Sequence, residues 1–213
     1  LGTTCAVPLL VSGLVIEKEH KLRSLMLMMG VKMRWYWLCE WLWSTSVVST
    51  INFAFVLGGW AAGIGFMLRS TGTLVLLVIL WSQSLVSLAM LLSCFYTRVL
   101  TANIINFFLV IALVLISLAL NQVTWPLGTD VFPTGLFLIS PLAYYRAVHL
   151  LATRTYELAY LSDEMSAILG MLFLDAVLYA LLAQYLDAVM PRQFGVALEP
   201  LFFLRRLREL ISG

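Results

Sequence analysis

Long apolar runs separated by short polar segments organise the whole chain. A transmembrane helix needs about 20 mostly apolar residues, and four runs reach that length, at about residues 35–67, 73–95, 99–120 and 166–189. Residues 1–16 form a shorter run, so we expect them to be the end of a span whose beginning precedes the sequence. The pattern predicts an all-α membrane protein, a polytopic helical bundle of about five spans with the first one truncated.

A charged, amphipathic insert at 17–31, reading EKEHKLRSLMLMMGV, separates the first two apolar runs. Its leucines and methionines recur at i, i+3, i+4 and i+7, the spacing of one helical face, at Leu22, Leu25, Met26 and Met29. The spacing predicts a short helix held at one membrane face, where it either rests in the headgroup layer or acts as a mechanical joint.

Charges and a glycine set the expected limits of this helix. Glu17 precedes Lys21 by four residues, and Glu19 precedes Arg23 by four, so both pairs have the orientation that supports a helix. Gly30 is expected to take the left-handed conformation that ends it. These signals predict one continuous helix over residues 17–30.

Prolines and glycines interrupt the segment 121–165, which is too broken to span a membrane as one helix. Its apolar pieces, such as 135–139 and 142–151, are too short for a full span. They fit re-entrant or interfacial helices, which are tolerated at membrane depth where they are packed in protein or line water.

The basic residues are distributed unequally between the two ends of the predicted spans. Ten lie on the side of the insert: Lys18, Lys21, Arg23, Lys32, Arg34, Arg98, Arg192, Arg205, Arg206 and Arg208. The other three are Arg69, Arg146 and Arg154. The positive-inside rule then predicts that the insert and the tail 190–213 are cytoplasmic and that 121–165 is exoplasmic.

Composition excludes a soluble protein, because 62% of the residues are hydrophobic, 11% are charged and mean hydropathy is +0.98. The few basic residues are scattered among apolar spans, so no nucleic-acid partner is predicted. The sequence contains no G-x-x-x-x-G-K-[ST] loop, and its three cysteines and two histidines have no metal-ligand spacing. No catalytic or metal site is predicted within it.

Polar residues inside apolar runs are candidate functional residues, because burying them in a bilayer is costly. Asp175 is predicted either to take part in a substrate path or coupling, or to pair with Asn103 or Gln83 across a helix interface. Asn103 and Asn106 are expected to bond a neighbouring helix. Glu40 is expected to be an anchor that snorkels or pairs with Arg34 or Lys32.

Three separated segments, in the correct order, resemble signatures of ABC transporter subfamily A. The insert and its flanks resemble VYEKE-x-x-L-(R/K)-x-x-M-x-M-M-G-L, with Val31 in place of the usual leucine. Residues 138–143, LISPLA, resemble the LLSP-x-A segment before the last span. Residues 185–196, YLDAVMPRQFGV, resemble the segment leading toward the nucleotide-binding domain, and 200–204 continue it as in plant-type members.

The resemblance implies that residues 1–189 are spans two to six of an ABC-2 type membrane domain and that 190–213 are a linker toward an ATPase domain beyond the sequence. Segment 17–30 would be the coupling helix, and 134–152 the paired exoplasmic re-entrant helices. The coupling residues would be Glu17, Lys18, Glu19, Lys21, Leu22, Arg23, Met26 and Met29.

The same resemblance implies a transporter that moves lipids or sterols. ATP and Mg²⁺ would bind in the ATPase domain, and the partners would be that domain, a second transmembrane half or dimer partner, and membrane lipids. The alternative is a truncated or non-transporting membrane scaffold, or a subunit that anchors another protein.

Overall fold

The computed structural model describes residues 3–65, 67, 70–124, 134–153 and 163–189, and all regular elements in that part of the chain are helices. A 3-10 helix, Thr134–Leu138, precedes α6. The α-helices are α1 Ala6–Glu19, α2 Leu22–Met28, α3 Met33–Ala61, α4 Thr71–Phe95, α5 Val99–Thr124, α6 Ser140–Thr153 and α7 Asp163–Val189.

Four helices, α3, α4, α5 and α7, are long and apolar enough to cross a membrane. They occupy the four long apolar runs, so the predicted spans are confirmed. Helix α1 has 14 residues, or about 21 Å at 1.5 Å per residue, which is shorter than a bilayer core. The chain is a multi-pass integral membrane protein with an all-α helical bundle.

Helix α4 occupies the centre of the bundle. It packs against α1, α3, α6 and α7, and its interface with α7 is the most extensive in the described chain. In an apolar stretch of 18 residues within α4, 56% of the residues are buried inside the bundle, whereas in the corresponding stretch of α3 only 22% are. Small residues on α4, including Ser84, Ser87 and Ala89, are buried, and small side chains let membrane helices approach closely.

The two short helices of the broken segment pack into the bundle. The 3-10 helix and α6 match the predicted pieces 135–139 and 142–151 closely, and Phe137, Ala143 and Ala147 are buried. Tyr144 of α6 stacks on Trp81 of α4, with ring centroids 4.4 Å apart and planes 13° apart. Residues 125–133 and 154–162 of the predicted exoplasmic segment lie outside the described residues.

The far end of α3 is closely packed at one glycine, and the helix ends at Ala61 rather than near residue 67. Gly59 is buried, and a Cβ at that position would be 2.0 Å from the Met67 sulfur. Gly63 has a φ of +69°, so the chain turns where glycine is favoured. Asn52 donates a hydrogen bond to Ser82 Oγ at 2.8 Å, which joins α3 to α4.

Candidate functional site

One end of the bundle, here called the basic end, brings together the end of α1, all of α2, the start of α3, the α4–α5 turn and the end of α7. Among the lysines and arginines of the described ranges, Lys18, Lys21, Arg23, Lys32, Arg34 and Arg98 belong to these segments. Arg146, on α6, does not. The predicted grouping of charge on one side is therefore present in the described part of the chain.

The insert does not form the single helix predicted for residues 17–30. Helix α1 continues through Glu19, the chain turns at His20 and Lys21, and α2 begins at Leu22. Lys21 has a φ of 57°, a conformation that non-glycine residues adopt only where surrounding contacts hold them. Gly30 has a φ of +89°, which confirms its predicted left-handed conformation.

The break falls between the two members of each predicted pair, and Glu17, Glu19 and Arg23 contact groups on other helices. Glu17 Oε2 accepts a hydrogen bond of 2.6 Å from the Tyr36 hydroxyl on α3. Glu19 and Arg23 engage α5 and α7 respectively. Residues 17–19 are thus part of α1 rather than of the short helix that follows.

Two adjacent residues of opposite charge hold the α4–α5 turn. Lys18 Nζ donates a hydrogen bond of 2.7 Å to the carbonyl of Ser93, near the C-terminal end of α4. Glu19 Oε2 accepts a hydrogen bond of 2.9 Å from the backbone N–H of Val99, the first residue of α5. A cation at a helix C-terminus and an anion at a helix N-terminus both complement the helix dipole.

Arg23 forms a bidentate ion pair with Asp187 in the last turns of α7. Its Nη1 donates to Asp187 Oδ1 at 2.7 Å, and its Nη2 donates to Oδ2. The guanidinium lies 5.0 Å from the ring centroid of Tyr36 and 5.1 Å from that of Trp37. Planar, delocalised arginine suits both the bidentate contact and the aromatic stacking.

Most of the apolar face predicted for the insert is exposed. The exposed fraction is 43% for Leu22, 52% for Leu25 and 76% for Met29, while Met26 is half-buried. Met28, off that face, is 81% exposed. The arrangement therefore fastens α1 and α2 through charged residues and leaves apolar side chains of α2 accessible.

The intramembrane polar residues do not pair as predicted. Asp175 is fully buried, and neither of its oxygens has a hydrogen-bond partner among the described residues. Asn103 is exposed and Gln83 half-buried, so the predicted pairing of either with Asp175 is wrong. The reason is that Asn103 faces outward from α5, whereas Asp175 faces into the bundle.

Asn106 and Glu40 contact their own helices. Asn106 is buried, and its Nδ2 donates a hydrogen bond of 2.8 Å to the carbonyl of Ala102 rather than to a group on a neighbouring helix. Glu40 Oε1 lies 3.4 Å from Ser44 Oγ, which takes the place of the predicted pairing with Arg34 or Lys32. One helical turn separates the partners in each case, so both contacts are local.

Asp187 and Tyr36 are the residues of the basic end that sequence reasoning did not select. Asp187 is an acidic residue at the end of an apolar run, and Tyr36 belongs to the aromatic cluster that opens the second run. A lone acid next to a predicted basic segment was the available signal. The structure describes no group of three or more His, Cys, Asp or Glu that would hold a metal ion among its placed residues.

Comparison with known proteins gives several relatives, although no protein-family profile matches the chain. ABC transporter A family member 7 of Dictyostelium discoideum is 36% identical over 97% of this chain, and member 9 is 34% identical over 97%. The Cholesterol transporter ABCA5 of Rattus norvegicus is 28% identical over 90%. The chain spans 25% of the length of the two Dictyostelium proteins and 12% of the rat protein.

Proposed function

Since the chain is homologous over nearly its whole length to members of the A family of ABC transporters, we propose that it is the membrane-spanning part of an ATP-driven transporter. Residues 1–189 form its membrane domain, and 190–213 lead to an ATPase domain that binds ATP and Mg²⁺. A second transmembrane half or a dimer partner completes the transporter.

The segment 17–30 transmits motion from the ATPase domain. The proposal rests on one observation at the basic end. The charged residues of the segment bond to other helices of the bundle, while most of its apolar side chains remain exposed. Leu22, Leu25 and Met29 fill a groove of the ATPase domain. A force applied there reaches four helices, because α2 is tied to α7 and the preceding residues are tied to α3, α4 and α5.

The cargo we propose is a lipid or a sterol. The support is one relative, the Cholesterol transporter ABCA5 of Rattus norvegicus. Closure of the ATPase domains pushes α2, which tilts α1 and α3 and shifts α7 through Asp187. A lipid-accessible face of the bundle changes with these tilts, and the cargo moves across the bilayer.

The test uses the whole transporter in proteoliposomes and measures ATP hydrolysis and lipid movement together. Leu25→Gln and Met29→Gln should leave folding intact, because both side chains are exposed, but should reduce lipid movement per ATP hydrolysed. Met28→Gln is the matched control, since Met28 is exposed and lies between the two test positions in the sequence but off the predicted face. Wild-type coupling in both test variants would overturn the proposed role of α2.

The same preparation separates transport from the scaffold alternative. A transporter should show ATP hydrolysis that rises with cholesterol or another lipid, together with ATP-dependent lipid movement. A photo-crosslinker at position 29 should attach to the protein's own ATPase domain. A protein that inserts normally but neither hydrolyses ATP nor moves lipid would be a membrane scaffold.

A further inference from the structure

A set of buried polar atoms lies where α4, α6 and α7 meet. We call Trp81, Ser84, Ser140 and Asp175 the polar layer. All four residues are completely buried. The Trp81 Nε1, the Ser84 Oγ and both Asp175 oxygens have no hydrogen-bond partner within the part of the chain that the structure describes, and the Ser140 Oγ lies next to the Tyr179 hydroxyl.

Contacts between the helices place these groups at a similar depth. Trp81, near the middle of α4, stacks on Tyr144 of α6, and Glu164, at the start of α7, pairs with Arg146 of α6. Late in the same helices, Cys94 Sγ donates 3.5 Å to the carbonyl of Ala183. The helices α4 and α7 therefore run in the same direction and share a register.

This register puts Asp175 at a depth close to that of Ser84. Asp175 precedes Ala183 by eight residues, a rise of about 12 Å, and the same rise from Cys94 leads to Val86. Ser84 precedes Val86 by less than one helical turn, and Trp81 precedes Ser84 by about one more turn. The α4 members of the polar layer thus lie within about two helical turns of the depth of the buried carboxyl group, on helices that pack against each other.

Tyr179 connects Asp175 to the start of α6. It lies one turn after Asp175 on α7, and its hydroxyl lies beside Ser140. The same hydroxyl donates a hydrogen bond to the carbonyl of Leu138. Ser140 in turn lies one turn before Tyr144, which stacks on Trp81. Three helices consequently direct polar groups toward one region.

The chemistry of these groups selects a hydroxyl ligand. Unpartnered polar groups at membrane depth are costly, so an occupant that satisfies them is strongly favoured. The indole N–H of Trp81 only donates, a carboxylate only accepts, and serine does both. A bare cation would satisfy the carboxylate but not the indole N–H, whereas an O–H group accepts from one and donates to the other.

We propose that the polar layer is a buried binding site for a hydroxyl group, supplied by an internal water molecule or by the hydroxyl of a transported lipid such as a sterol. Buried waters commonly make about three hydrogen bonds to groups that lack other partners. The water source stands on geometry alone. The lipid source rests on the proposed lipid transport.

Hydroxyl-radical footprinting of the full-length protein in sterol-free phospholipid nanodiscs tests the site. A buried side chain is oxidised efficiently when a bound water lies next to it, so Trp81 should be labelled. Met165, which is fully buried on α7 about 15 Å along the helix from Asp175, is the dry control. Asp175→Leu should abolish most of the Trp81 labelling and leave Met165 unchanged.

Ser84→Ala and Ser140→Ala provide milder variants if Asp175→Leu fails to fold, and each should lower Trp81 labelling. Added cholesterol that protects Trp81, when its methyl ether does not, identifies a lipid hydroxyl as the ligand. Equal labelling with either sterol identifies water. Trp81 labelling no greater than that of Met165, or labelling that none of the variants changes, would overturn the site. If Trp81 is labelled in a protein that moves no lipid, the hydroxyl site stands with water as its ligand, and only the proposed transport fails.

Discussion

Arg23 and Asp187 are 164 positions apart in the sequence, yet two guanidinium nitrogens of one donate to both carboxylate oxygens of the other. Their side chains are only 13% and 9% exposed. Tyr36 and Trp37 lie against the guanidinium. The pair therefore joins the short helix α2 to the last turns of α7 as a buried structural tie, unlike a solvated surface ion pair of little energetic consequence.

Removing one member of this tie should destabilise the membrane domain more than removing both. Arg23→Met or Asp187→Leu takes away one charge of a buried pair, which costs about 3–5 kcal/mol. The double variant removes both charges and leaves no unpaired buried charge, so its loss of stability should be smaller than either single loss. Thermal unfolding of the purified protein in detergent measures all four forms. Additive losses would contradict a direct energetic coupling between the two residues.

The contact between Glu19 and Val99 predicts a local effect on α5. Glu19→Ala removes the acceptor of the Val99 N–H and should speed hydrogen exchange of that amide. Glu19→Gln retains an acceptor oxygen and should lie between wild type and Glu19→Ala, because it loses only the charge that complements the helix dipole, worth about 0.3–1 kcal/mol.

Amides in the middle of α7 serve as the internal reference for this exchange experiment, because Glu19 makes no contact with that helix among the described residues. Their exchange should be the same in all three proteins. Unchanged exchange at Val99 in Glu19→Ala would show that the carboxylate does not protect the start of α5.

The membrane spans were predictable because composition alone forces them. A run of about 20 apolar residues has few alternatives to a transmembrane helix, and α3, α4, α5 and α7 occupy the four predicted runs. The short helices of the broken segment were predictable for a related reason, since prolines such as Pro133 and Pro141 divide the apolar residues into short pieces.

The break in the insert was not predictable from local signals. The left-handed residue is Lys21, not a glycine, so no residue type marked the position. Glu19 and Arg23 have the spacing of a helical ion pair, but their partners Val99 and Asp187 come from distant parts of the chain. Tertiary contacts overrode a local preference worth only about 0.2–0.5 kcal/mol per pair.

Adjacent glycines on α3 should respond oppositely to alanine. A Cβ at Gly59 would lie 2.0 Å from the sulfur and 2.8 Å from Cε of Met67, whereas nothing lies within 4 Å of a Cβ at Gly58. Gly58→Ala should stabilise the helix by up to about 1 kcal/mol through its higher propensity. Gly59→Ala should destabilise by less than about 1 kcal/mol, because the flexible end of the Met67 side chain must shift to admit the new methyl group.

A compensating change at Met67 checks the cause. Met67→Ala combined with Gly59→Ala should recover part of the loss, because the clashing side chain is gone. Thermal unfolding in detergent compares the variants, with Gly58→Ala as the control for a glycine replacement in the same helix. Equal effects of the two alanine substitutions would contradict the close approach of Met67 to Gly59.

Two neighbouring acids at the start of α7 should differ in importance. Both Asp163 and Glu164 lie in its first turn, where negative charge complements the helix dipole. Only Glu164 accepts from Arg146, whose Nε lies 2.8 Å from Glu164 Oε1 and whose side chain is 9% exposed. Asp163→Asn should therefore cost no more than about 1 kcal/mol, whereas Glu164→Gln, which also weakens a hydrogen bond to a charged group, should cost about 1–3 kcal/mol.

Unfolding midpoints measure the stability difference, and faster amide exchange in α6 should accompany Glu164→Gln alone, because Arg146 belongs to that helix. Matching losses from the two substitutions would indicate that both acids act only through the helix dipole and that the Arg146 contact contributes nothing to holding α6 against α7.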